Sequence, residues 1–225
     1  MAMSESVRMW SAPDLARQGT ESHNAQHPGS NRRFPENQMK QAVLVIDVQE
    51  SFRRRPYWDE KELPAFYAAL RQVLDQAADM GIPAVRIFHH EPDAPADDPF
   101  SPQSGLVRTL EEIHYAPVAT FHKTVHSALY AKDQKGTTLE QWLREQGIEE
   151  VIVCGIRTEQ CCETTTRHAS DAGFQVRFVA DATLTFPMVS ATGRRYTAAD
   201  IRDRTTLVLD GRFARIVDAT GALAG

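Results

Sequence analysis

The sequence predicts an α/β domain of three layers, α/β/α, built on a six-stranded, mostly parallel sheet of Rossmann-like type. Two observations carry this. Short apolar runs of strand length alternate with longer stretches whose apolar residues recur at helical spacing. Runs such as Ala42-Val43-Leu44-Val45-Ile46 are apolar throughout, the pattern of a strand covered on both faces. Right-handed crossovers in such a sheet place the ligand crevice at the carboxyl ends of the strands.

Taken in order, residues 1–38 lack apolar periodicity and read as a polar tail or arm, and residues 39–225 as a single domain. The first strand ends at Ile46 and Asp47 follows it. Residues 62–80 form an amphipathic helix with Leu63, Phe66, Leu70, Val73, Leu74 and Ala77 as its stripe, Pro64 in its first turn and Gly81 beyond its end. A second strand, 83–88, leads to His89 and His90, and a third, 117–122, leads to Lys123. A helix capped by Thr137 or Thr138 runs to Glu145. The fourth strand, 151–154, is ended by Gly155, and Thr158 is placed to cap the helix that follows it. A fifth strand (174–179), a long connection (182–197), a helix (198–209) and a last strand (213–217) complete the domain.

Composition narrows the function. With 25 basic and 30 acidic residues the formal charge is -5, which argues against a nucleic-acid binder. No apolar run is long enough to span a membrane, and no signal-peptide pattern opens the chain, so a cytoplasmic protein is expected. Cys154, Cys161 and Cys162 are odd in number and clustered, a poor disulfide framework and one suited to a reducing compartment.

Asp47, His89, Lys123 and Cys161 all fall at carboxyl ends of predicted strands. Each alone has an ordinary explanation as a turn residue, a solvated tip or a core thiol. Together, an acid, an ammonium and a thiol on one rim describe a nucleophile with ion-pair support, the equipment of acyl transfer. With Thr158 as cap, Cys161 sits in the first helical turn, where the dipole favours an ionised thiol. Backbone N–H groups of Arg157 and Cys161 are candidates for an oxyanion hole. His122 and His126 flank Lys123 and offer hydrogen bonds to a substrate, and a histidine-based dyad is the rival arrangement. Arg53, Arg54 and Arg55, followed by Tyr57 and Trp58, read either as a solvated basic surface or as a lid closing over an anionic substrate. Phe186 lies in the long connection that faces the same rim.

Over about residues 40–218 the chain resembles the isochorismatase-like cysteine hydrolases, which include nicotinamidase and N-carbamoylsarcosine amidase. The resemblance rests on Val45-Ile46-Asp47-Val48-Gln49 with Phe52, on Lys123, and on Gly155-Ile156-Arg157-Thr158-Glu159-Gln160-Cys161-Cys162 followed by Thr165. It implies a catalytic triad of Asp47, Lys123 and Cys161, and a cis peptide ahead of Arg157. The implied activity is cleavage of a C–N bond of a small molecule through a thioester, with vinyl-ether hydrolysis or a non-catalytic binding role as alternatives. Phe52, Arg54, Trp58, His89, His122, His126 and Phe186 are then the expected substrate contacts. The nicotinamidase branch binds a metal through an aspartate shortly after the catalytic one, where this chain has Glu50 to Arg55 instead. No metal or other cofactor is therefore expected. A homodimer or homotetramer is, and so is a small-molecule substrate, with Arg157 either turned away from the pocket or reading a carboxylate.

Overall fold

A computed structural model describes residues 39–223; the tail expected over 1–38 lies outside the described residues. The elements run β1 (Gln41–Ile46), α1 (Leu63–Met80), β2 (Ala84–His89), β3 (Ala119–Lys123), α2 (Leu139–Glu145), β4 (Glu150–Ile156), α3 (Glu163–Asp171) and β5 (Gln175–Leu184). They continue through β6 (Met188–Val189), β7 (Arg195–Tyr196), α4 (Ala198–Leu209) and β8 (Arg215–Val217). Six strands pair in the order β3-β2-β1-β4-β5-β8, and every pairing is parallel. The expected three-layer α/β/α architecture is thus the observed one.

The continuous apolar runs serve two cores at once. Alternate residues of a strand face opposite sides. Val43 and Val45 accordingly join the cluster under α1, while Ala42, Leu44 and Ile46 join the cluster that holds Leu139 and Leu143 of α2, Ala169 of α3 and Leu209 of α4. The helices begin where their sequences direct. Thr138 and Gln141 form a reciprocal capping box on α2, and Thr197 and Asp200 form one on α4. Gly81 closes α1 in the left-handed region, at φ 68°.

Several boundaries differ from the sequence expectation, for local reasons. β4 does not stop at Gly155 but runs on to Ile156. Gly155 is required there for closeness: a Cβ on it would lie 2.0 Å from the Ile46 carbonyl oxygen, and its φ is 126°. β5 continues past Asp181 to Leu184 because its pairing with β4 shifts register between Val153 and Gly155. The connection after β5 holds an unforeseen antiparallel ribbon of β6 and β7, closed by a turn in which Gly193 N–H donates to Ser190 O. Thr158 does not cap a helix. Its Oγ1 donates to Thr183 Oγ1 at 2.9 Å, and the chain enters α3 through a wide turn over Thr158–Cys162 with Arg157 at the cap position.

Candidate active site

Asp47, Lys123 and Cys161 meet above the carboxyl ends of β1, β3 and β4. Asp47 leaves β1 with φ 53°, a left-handed conformation uncommon for a residue with a Cβ, and its N–H donates to Ile87 O at 2.9 Å. Gln49 ties the segment after Asp47 to the end of β2: its side chain accepts from His89 N–H and donates to His89 O, both at 2.9 Å. β3 lies two strands from β1, about 10 Å at ordinary strand spacing, so only a long side chain on β3 reaches Asp47 across β2. Lys123 does so. Its Nζ donates to Asp47 Oδ2 at 2.7 Å and to Cys161 Sγ at 3.3 Å. The Lys123 and Asp47 side chains are both 0% exposed, and Cys161 is buried.

Electrostatics in this enclosure settle which groups are charged. Burial opposes the ammonium of Lys123, yet Asp47 and Cys161 outweigh it and raise the Lys123 pKa. Burial, followed by the neighbouring Asp47, pushes the Cys161 thiol well above the ordinary range, with Lys123 pulling the other way. One ammonium thus balances one carboxylate, and a second anion would have no partner. Burial and the neighbouring Asp47 thus oppose the ionisation expected from a first-turn position, and Lys123 favours it. The reason is geometric, since the residue sits fourth in a buried wide turn beside a carboxylate. Asp47 Oδ1 is buried and without a hydrogen-bond partner.

The wide turn also shapes the backbone donors. In a regular α-turn the Arg157 carbonyl would accept from Cys161 N–H. Here it accepts from Gln160 N–H and Cys162 N–H, each at 3.2 Å, and passes Cys161 over. The Ile156–Arg157 peptide is cis.

The expected substrate contacts divide. Phe186 is buried and stacks with Trp58 at 5.2 Å and with Tyr57 at 5.4 Å between ring centroids. Phe52 is a core residue set edge-on to Phe100. His89 pairs through Nε2 with Glu91 at 2.8 Å. His122 lines an open cleft of about 680 Å³ together with His90, Lys123, Tyr130 and Lys132. Its pKa is lowered by burial and by His90, which leaves it neutral. Arg54 and His126 are exposed and are not brought to the triad. Cys154 and Cys162 are buried core side chains.

Arg157 turns inward. Its guanidinium lies 4.7 Å from the Tyr57 ring centroid and 5.8 Å from that of Phe186, and Nη2 is 2.8 Å from Glu159 Oε1. Glu159 Oε2 accepts from Thr185 Oγ1 at 2.6 Å. Glu159, two residues on in the same motif, is the acid that Arg157 meets; Thr185 was not singled out, because nothing in its spacing distinguishes it from a surface residue.

Among the described residues no group of three or more His, Cys, Asp or Glu side chains gathers as a metal-ion cage. After Asp47 the chain offers Glu50, which accepts from Glu111 N–H and pairs with Arg53. No helix among these residues is long and apolar enough to cross a membrane.

Residues 41–211 match the family model described as the isochorismatase domain. The chain is 27% identical over 183 residues to YrdC, an isochorismatase family protein of Bacillus subtilis, covering 79% of this chain and 91% of that one. It is 52% identical over 115 residues, about half of each chain, to Nicotinamidase 3 of Arabidopsis thaliana. Its fold matches the crystal structure of a hydrolase of the isochorismatase family from Chromobacterium violaceum with a TM-score of 0.72 at 27% identity, over 85% of this chain and 95% of that one. With the sheet order, the site at its carboxyl edge and the matched model agreeing, the chain belongs to the isochorismatase family of hydrolases.

Proposed function

We propose that the protein hydrolyses a C–N bond, amide, ureido or lactam, of a small molecule through a thioester on Cys161. The observation that carries this is Lys123 Nζ touching Asp47 Oδ2 and Cys161 Sγ together while Asp47 Oδ1 has no partner. Sγ attacks the carbonyl carbon as its proton passes to Asp47, so no free thiolate needs to exist beforehand. The oxyanion is received by the N–H groups of Arg157 and Cys161. Asp47 then returns the proton to the leaving nitrogen, the C–N bond breaks and the amine departs. Water attacks the thioester with Asp47 again as base, releasing the acid and restoring the thiol. The similarity to a nicotinamidase supports the bond type.

Cys161→Ala tests the reading against a panel of amides, ureas and lactams: turnover should vanish with the melting midpoint kept. Undiminished hydrolysis of any panel member by the variant contradicts it, and turnover of a vinyl ether instead would favour ether chemistry. A homodimer or homotetramer belongs to the same reading, supported by the exposed Val125 and Tyr130 at the cleft rim. Light scattering that gives a monomer contradicts that part alone.

A further inference from the structure

Six arginines follow carboxyl ends of strands and could have read an anionic substrate, Arg53, Arg54, Arg55, Arg157, Arg194 and Arg195, and the structure separates them. Arg53 is held by Glu112 at 2.6 Å and by Glu50 at 3.2 Å. Arg55 lies over Phe100 and 3.8 Å from Asp98. Arg54, Arg194 and Arg195 are exposed. Only Arg157 is buried on the turn that carries Cys161, and Glu159, buried beside it, already supplies the opposite charge.

That pair is close but badly aligned. Although Arg157 Nη2 and Glu159 Oε1 are 2.8 Å apart, neither makes a hydrogen bond, and Arg157 Nε has none either. Nε and Nη2 form one edge of the guanidinium. Elsewhere in this chain that edge grips a carboxylate oxygen from both nitrogens, Arg144 on Glu140 and Arg167 on Glu163. On Arg157 it is unfilled. Two donors and one acceptor thus stand side by side in the interior, where polar groups are normally satisfied. The side chains of both residues are about nine-tenths buried, at 7% and 10% exposure.

We infer that the Arg157–Glu159 pair is a specificity site for a neutral group presenting an acceptor beside a donor: a carboxamide, ureido or cyclic imide edge. Its carbonyl oxygen takes the Nε/Nη2 edge and its N–H reaches Glu159 Oε1. A carboxylate fits worse. It satisfies the donors but brings a second negative charge against Glu159 and leaves that acceptor empty, and a buried unpaired charge is costly. Tyr57 is half-buried over the guanidinium and hydrogen-bonds to Arg157, so it covers this edge of the pair. This deepens the proposed function and rests on that reading, since Arg157 caps the turn that carries Cys161.

The test compares succinamide, succinamate and methyl succinamate, which share one primary amide and differ in the far group. Turnover is measured with the parent and with Glu159→Gln, and binding by ligand-observed NMR with Cys161→Ala. The diamide should exceed the acid at least tenfold in kcat/KM and in binding to Cys161→Ala. Glu159→Gln, by removing the carboxylate that repels the acid, should move that ratio at least tenfold toward succinamate. If Glu159→Gln does not fold, Thr185→Val, which frees Glu159 Oε2, should weaken diamide binding. Binding that prefers the diamide without turnover of any compound would sink the proposed reaction and uphold this site. Equal treatment of diamide and acid, preference for the acid, or no saturable binding by any of the three overturns the inference.

Discussion

Lys123→Met removes the ammonium while keeping a side chain of similar length. In the parent, Lys123 Nζ and Asp47 Oδ2 are 2.7 Å apart with both side chains fully enclosed. The variant leaves the Asp47 carboxylate buried, with Oδ2 as orphaned as Oδ1 already is. Removing one member of a buried pair costs about 3–5 kcal/mol, chiefly because the other charge stays behind without compensation. For a domain of this size the melting midpoint should then fall on the order of 10 °C. The pH dependence has a definite sign. The Lys123 pKa is raised in the folded state, so its contribution is complete below the unfolded value of about 10.4 and is lost only as pH climbs from there through the folded value. Urea unfolding of parent and variant should therefore differ fully at neutral pH and converge in strong alkali. The double variant Asp47→Asn/Lys123→Met, with no charge to strand, should recover much of the loss. A Lys123→Met protein as stable as the parent at neutral pH, or a double variant no better than the single, would refute the reasoning.

Gly155→Ala should lose more than about 4 kcal/mol of stability or fail to fold, since its Cβ would stand 2.0 Å from Ile46 O; a normal melting curve would contradict this. Because burial and Asp47 raise the Cys161 pKa, iodoacetamide labelling of Cys161 should keep accelerating above about pH 8.5, the ordinary thiol value, rather than level off there. A plateau below that pH would mean a preformed thiolate. Exhaustive chelation should leave activity unchanged; a loss restored by zinc, iron or manganese would contradict this.

The sheet and the convergence of Asp47, Lys123 and Cys161 were legible because both depend on patterns the chain cannot hide. A strand buried on both faces needs an unbroken apolar run, as in β1, and a parallel sheet sends the following residues to one rim. What escaped was set by contacts distant in sequence. Thr158 has the composition of a helix cap, but Thr183, brought close by the end of β5, claims its hydroxyl. The first-turn position suggested a reactive thiolate, whereas burial and the neighbouring Asp47 act to raise the Cys161 pKa. Of Arg53, Arg54, Arg55, Arg157, Arg194 and Arg195, sequence could not choose one. Which is buried depends on Tyr57 and Phe186, 129 residues apart in number and in stacking contact in the fold.

The account turns on a covalent bond to Cys161, and rapid acid quench followed by peptide mass spectrometry measures it directly. Trypsin releases Thr158–Arg167, which holds both Cys161 and Cys162, and fragmentation between them assigns the modified sulfur. During turnover of an amide substrate the acyl mass should appear on Cys161, decay as substrate is consumed, and be absent from Cys161→Ala. An acyl group on Cys162 alone, or steady turnover with neither cysteine ever modified, would contradict the thioester mechanism.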